Sequence, residues 1–251
     1  MFKVFYLHYS KNKDRKAYLK RFVEKELPGQ LISEFDREDI NPNDHYKFNR
    51  ADNYMAICSF ANVLADNLSL LKTGKSDGTI NISALSAYQM LSLTPGEISL
   101  SNLSLNLKHQ MAWERLASSN SEWGVILEDD VIFHASSVRQ IISLVEQLCN
   151  DIDFVDIGGG CGLKPRGARF LESSLKDIYI DRFASTRTTC AYIINRRLAK
   201  SLIKANLPIL FPIDFQLNYC FSLLNPTVCW SDPELVIHGS EHGYYLSSNK
   251  E

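Results

Sequence analysis

The stretch Trp123-Gly124-Val125-Ile126-Leu127-Glu128-Asp129-Asp130-Val131-Ile132-Phe133 sets three adjacent acids between two apolar runs. The four small or apolar residues before the acids suit a strand buried on both faces of a sheet. Three carboxylates cannot carry that strand on into a core, because buried unpaired charge is too costly. Glu128, Asp129 and Asp130 are therefore expected at the strand's C-terminal mouth, where open α/β sheets place their ligands. Like charges this close repel, and a divalent cation makes such a cluster favourable. Mn²⁺ or Mg²⁺ would take one or two of the carboxylates and complete its octahedron with phosphate oxygens and water. The competing reading is a solvated acidic turn.

Around this stretch the composition is that of a globular chain. The 251 residues can bury a real core, and hydrophobic residues at 45% with charged residues at 22% are ordinary for a soluble globular protein. A formal net charge of -2 gives no electrostatic case for nucleic acid or for an anionic membrane. Phe2 follows Met1 but Lys3 comes at once, so the start does not read as a signal peptide, and no apolar run approaches the roughly 18 to 20 residues of a membrane span. Cys58, Cys149, Cys161, Cys190, Cys220 and Cys229 show no Cys-x-x-Cys pairing and read as reduced thiols of a cytoplasmic protein.

Strand and helix signals alternate along the chain. Phe2–Leu7 reads as a buried strand, and a polar loop leads to a helix from near Asp14 that Pro28-Gly29 ends. Leu31–Phe35 is a candidate second strand, Met55–Leu71 a candidate helix, and Lys72–Thr79 a loop. Thr94-Pro95-Gly96-Glu97 has the form of a capping box with proline at the first helical position. The helix it predicts carries Leu103, Leu107, Met111, Ala112 and Leu116 along one stripe, with His109 beside it. After the acids come a helix over about 138–148, a strand at Asp153–Ile157 and a polar segment over 164–176. A strand at Thr188–Ile194 precedes a helix capped by Asn195, and a further helix starts at Pro212-Ile213-Asp214. The alternation gives an α/β class in a single domain spanning 1–251, with halves at about 1–135 and 136–251.

Several side chains could carry chemistry at the acidic mouth. His238 and His242 follow a late apolar strand, and imidazole suits Mn²⁺ or a transition metal as a second ligand. Asp214 reads first as a helix N-cap and second as a general base. Gly158–Gly162 lacks both the G-x-G-x-x-G spacing and the P-loop lysine of phosphate-binding loops. His109 reads as a core-edge histidine.

Taken together, Phe2–Leu7 with Asp14-Arg15, Gly96-Glu97-Ile98 running to Leu107-Lys108-His109, and the run into Glu128-Asp129-Asp130 resemble glycosyltransferase family 25. Ala191-Tyr192-Ile193-Ile194-Asn195 and Pro212-Ile213-Asp214 fit the family's second half. Lys108 stands where the family usually has serine, and residues 40–93 match poorly. The resemblance implies a GT-A-type fold with a mixed, mostly parallel sheet flanked by helices. It also implies an inverting transfer of a sugar, galactose first, from a UDP-sugar to an oligosaccharide or glycolipid acceptor. Such an enzyme of lipopolysaccharide or other surface-glycan synthesis would work in the cytoplasm or peripherally at the inner membrane face. By position Asp130 and His238 would hold metal, and Arg15, Glu128, Asp129 and His109 would bind the nucleotide-sugar. Asp214 would be the base. Two rival readings are a catalytically degenerate glycan- or partner-binding protein, motivated by Lys108, and a nucleotidyltransferase.

Overall fold

The computed structural model describes residues 1–41, 53–69 and 98–245. The first unit is strand β1 (Phe2–Leu7), helix α1 (Lys13–Arg21), which continues through a wider π-type turn at Phe22–Glu26, and strand β2 (Gln30–Ile32). The second candidate strand is shorter than Leu31–Phe35, since Phe35 takes a left-handed φ of 62° that extended backbone cannot accommodate. Helix α2 (Tyr54–Ser69) follows, then helix α3 (Leu100–Ala117), whose N-cap Ser99 accepts from the Asn102 amide. Ser99 therefore caps this helix. The Thr94–Glu97 box and the loop at 72–79 lie outside the described residues.

The remaining elements are strands β3 (Trp123–Glu128) and β4 (Val131–Phe133), helix α4 (Ser137–Gln147), and strands β5 (Phe154–Asp156), β6 (Phe170–Glu172), β7 (Ile178–Asp181) and β8 (Ala191–Asn195). Helices α5 (Arg196–Ala205) and α6 (Ile213–Leu224) and strands β9 (Val228–Ser231) and β10 (Val236–His238) complete the chain. The polar segment 164–176 contains β6, which pairs antiparallel with β7 at one end of the sheet. An edge pair open to solvent needs little apolar patterning, so the sequence signal is weak there.

Eight strands form one sheet in the order β2-β1-β3-β8-β5-β9-β7-β6. The pairings make β2, β1, β3, β5, β9 and β6 run one way and β8 and β7 the other, so the sheet is mixed and mostly parallel. Alternation along the central strands feeds two cores. Val125 and Leu127 with Ala191 and Ile193 face the layer holding α1 and α4. Ile126 with Tyr192 and Ile194 faces α3, α5 and α6. Gly124 lets α3 come close, since a Cβ there would stand 2.8 Å from Leu116 Cδ2. Buried on both faces, β3 carries the apolar run that its sequence suggested.

Two buried ion pairs brace the far half of the sheet. Arg187 donates to Asp156, and Arg169 donates to Asp181 through Nε and Nη2, both at 2.7 Å; all four side chains are fully buried. Both guanidinium groups pack on Trp230, with their carbons 4.9 and 5.5 Å from its ring centroid. Among the described residues, no helix is long and apolar enough to cross a membrane.

Candidate functional site

Strand direction assembles the site. β1, β2 and β3 are parallel and in register at Leu7–Glu128 and Leu7–Ile32, so His8, the segment after Ile32 and the acidic turn leave the sheet at one edge. β8 runs antiparallel beside β3 with Leu127 opposite Ala191, which brings the residues before β8 to the same edge. β10 pairs antiparallel with β4, setting His238 opposite Val131. Gly239 then donates to the Asp130 carbonyl at 2.9 Å, and its missing Cβ is what permits that approach. A cavity of about 180 Å³ opens here, and its walls include Arg15, Glu128, Asp129, Asp130, Asp214 and His238.

The three acids have three different surroundings. Asp129 is saturated by the protein: Arg15 Nη1 donates to Oδ1 at 2.6 Å, while Oδ2 meets His8 Nδ1 at 2.8 Å and the Tyr9 amide at 3.0 Å. Arg15 is buried and lies under the Tyr245 ring at 5.0 Å. Arg15 and Asp129 thus hold the first loop against the acidic turn. Asp130 accepts from Ser240 Oγ at Oδ2, and His238 Nε2 stands 3.3 Å from the same oxygen. Its Oδ1 is buried with no hydrogen-bond partner. Burial alone would raise this carboxyl, but His238, Ser240 and the Arg15 charge outweigh it and hold the pKa below 3.8. Burial likewise disfavours the His238 imidazolium, yet the Asp130 and Glu241 carboxylates, 3.3 and 3.5 Å from its two ring nitrogens, push it up to about 10.

Glu128 is supported from behind by a hydrogen-bond chain whose direction can be read. Trp113 Nε1 is only a donor and bonds Tyr192 Oη at 2.9 Å. Tyr192 therefore gives its own proton to His109 Nδ1 at 2.8 Å, and burial pushes its phenol far above the usual range. That leaves His109 Nε2 to donate to Glu128 Oε1 at 3.3 Å. His109 is fully buried behind Glu128, so the structure makes it a support for the acid rather than part of the cavity wall.

Asp214 is not a helix cap. Pro212 holds the N-cap position of α6, and Asp214 sits in the first turn with its side chain turned to Thr189. The Thr189 amide and hydroxyl both bond Oδ1 at 2.8 Å, and the same hydroxyl stands 2.8 Å from Glu128 Oε1. Burial first, and the Glu128 charge second, raise the Asp214 pKa above 3.8. Glu241 goes the other way, lowered by the His238 ring 3.5 Å from it.

Asp214 gives a pH prediction. A carboxyl whose folded pKa exceeds its unfolded value binds more protons when folded, so stability falls as pH rises through the interval above 3.8. Asp214→Asn removes the ionisation and keeps an oxygen for Thr189. Its Tm should exceed the wild type's at pH 7, and the gap should close on acidification below about pH 4. An equal gap at both pH values would contradict the raised pKa.

Sequence reasoning missed His8, Thr189 and Ser240, because each reaches the site through strand pairing. Lys108, the departure from the family pattern, is buried with its ammonium bonded to Asp36 Oδ1 at 2.6 Å and to the carbonyls of His8 and Glu34. It ties the ends of β1 and β2 together. Gly158 and Gly159 spend their amides on Asp156, so that loop is closed upon itself rather than open to phosphate. All six cysteines are free thiols.

The residues present fit a divalent cation only in part. Among the described residues no three His, Cys, Asp or Glu side chains converge as a cage. Asp130 with its unpartnered Oδ1, beside His238, matches a cation that takes one or two protein ligands and fills the rest from a diphosphate and water.

Comparison with known proteins gives one family match. The model of glycosyltransferase family 25, described as an LPS biosynthesis protein, matches residues 3–217. No curated protein sequence matches the chain. Among solved structures, a glycosyltransferase involved in the glycosylation of the major capsid of PBCV-1 aligns at 10% identity and a TM-score of 0.44, over 94% of this chain and 92% of that one.

Proposed function

The chain belongs to glycosyltransferase family 25 and is a glycosyltransferase, and on that premise we propose a metal-dependent, inverting transfer from a UDP-sugar, UDP-galactose first, to a glycan or glycolipid hydroxyl. The observation that supports it most is the pairing, in one cavity, of a buried unpartnered Asp130 oxygen with an Asp214 carboxyl of raised pKa. The first suits a cation on a diphosphate leaving group. The second suits a base that takes the acceptor's proton.

In this reading Asp130 and His238 hold Mn²⁺ or Mg²⁺, and His238 gives up its ring proton to do so. The bound ion would supply neutralisation of the charge that develops on the departing diphosphate. Arg15 and Asp129 fix the loop over the nucleotide, and Glu128, held by His109, faces the donor sugar. Asp214 serves better as base than Glu241, whose lowered pKa makes it the weaker proton acceptor. A GT-A-type fold, a glycan acceptor from surface-polysaccharide synthesis and work at the cytoplasmic side of a membrane belong to the same proposal.

Thermal denaturation tests it. UDP with Mn²⁺ at about 100 times Kd should stabilise the chain by about 2.7 kcal/mol, and UDP alone much less. For a chain of this size that is a Tm rise of about 5–10 °C. The absence of any metal-dependent shift with UDP or other nucleotides would overturn the reading.

A further inference from the structure

Thr189 is buried, 1% exposed, in the irregular segment just before β8. It touches both acids that the proposed transfer needs. Its amide and hydroxyl converge on a single oxygen of Asp214, which fixes the carboxylate from two directions in the wall of the cavity. Its hydroxyl also meets Glu128 Oε1, which is anchored in turn through His109 and Tyr192 to Trp113 in the core. A β-branched side chain has one stiff χ1 torsion, so this hydroxyl is held in place before substrate arrives.

We propose that Thr189 is a positioning residue for the transfer, orienting Asp214 toward the acceptor hydroxyl and tying it to the donor-side acid Glu128. The proposal rests on the reading of Asp214 as base. Among the described residues, no other side chain sets one polar atom within hydrogen-bond distance of both acids, on α6 and at the end of β3; the single proton of the Thr189 hydroxyl goes to one of them at a time. The chemistry asks for such a link, because attack succeeds only when base, acceptor oxygen and anomeric carbon are aligned. A carboxylate free to rotate about its own torsions would sample that alignment only part of the time.

The test uses UDP release from UDP-galactose, or from whichever UDP-sugar a screen shows to be turned over, with Mn²⁺ present and water as acceptor. Thr189→Val keeps the shape and amide and removes the hydroxyl. It should lower kcat about 10- to 100-fold while leaving KM for the donor and the Mn²⁺-dependent UDP stabilisation unchanged. Thr189→Ser should recover most of kcat. On an Asp214→Asn background, Thr189→Val should add almost nothing, as expected of two groups acting as a unit. If the valine variant does not fold, Thr189→Ala takes its place.

A raised KM with intact kcat, a serine variant as slow as valine, or multiplicative effects in the double variant would each overturn the positioning role. An Asp214→Asn enzyme with wild-type kcat would instead remove Asp214 as base, and the inference with it. A wild type that releases UDP from no UDP-sugar would overturn the transferase reading on which both stand.

Discussion

Asp130→Ala is expected to lower turnover of the sugar donor by about 100- to 1000-fold, the usual cost of removing one group that stabilises developing charge. The same substitution should abolish the Mn²⁺-dependent Tm rise with UDP. Both effects follow from one atom. Asp130 Oδ1 is buried at the end of β3 without a partner, and buried carboxylate oxygens without a partner are rare. Stability in the absence of ligand should change far less than activity, since Asp130 contributes only the Ser240 and His238 contacts. His238 would keep Glu241 as a neighbour. An Asp130→Ala chain that still shows the full Mn²⁺-dependent shift would place the metal elsewhere.

The largest effect on stability should come from the opposite half of the sheet. Asp156 accepts from the amides of Gly158, Gly159 and Arg187, from Thr186 Oγ1 and from two nitrogens of Arg187. Asp156→Ala removes the close partner of a fully buried guanidinium and leaves it only Glu234 at 3.8 Å and backbone carbonyls, which costs about 3–5 kcal/mol. For a chain of this length that is a Tm loss of about 10 °C. Arg197→Ala offers the contrast. Its partner Asp153 keeps bonds from Asn195 and from the Thr227 amide, and Arg197 itself is 72% exposed. That loss should stay within about 1 kcal/mol. Urea unfolding of both variants measures the difference, and similar losses would refute the buried-pair argument.

How much of this was legible in the sequence depends on the kind of signal involved. The run into Glu128-Asp129-Asp130 was readable because apolar residues and carboxylates obey opposite solvation rules within a few positions. Asn195 was readable as a cap because capping is local, and its side chain does accept from the Leu198 amide. Asp214 was misread as a cap for the same reason: the local pattern Pro-Ile-Asp favours it, and only the antiparallel course of β8 shows that Thr189 claims the carboxylate. His8 was passed over as a loop residue, yet it bonds an acid 121 positions away. β6 and β7 escaped because an edge pair carries little hydrophobic periodicity.

The two-stranded pairing of β4 with β10 has a further consequence. Its three residue pairs, together with the Gly239 amide on the Asp130 carbonyl and Val236 in the core, set His238 and Ser240 beside the acidic turn, and the pairs lie outside the eight-stranded sheet. A pairing this short opens at a smaller free energy than global unfolding, although Val131 and Val236 anchor it in the core. Any cation held between Asp130 and His238 must therefore spend part of its binding energy keeping this clasp shut. Affinity at the site and amide protection in Val236–His238 become two readings of one equilibrium, so substitutions that loosen β10 weaken the site without touching a single ligand.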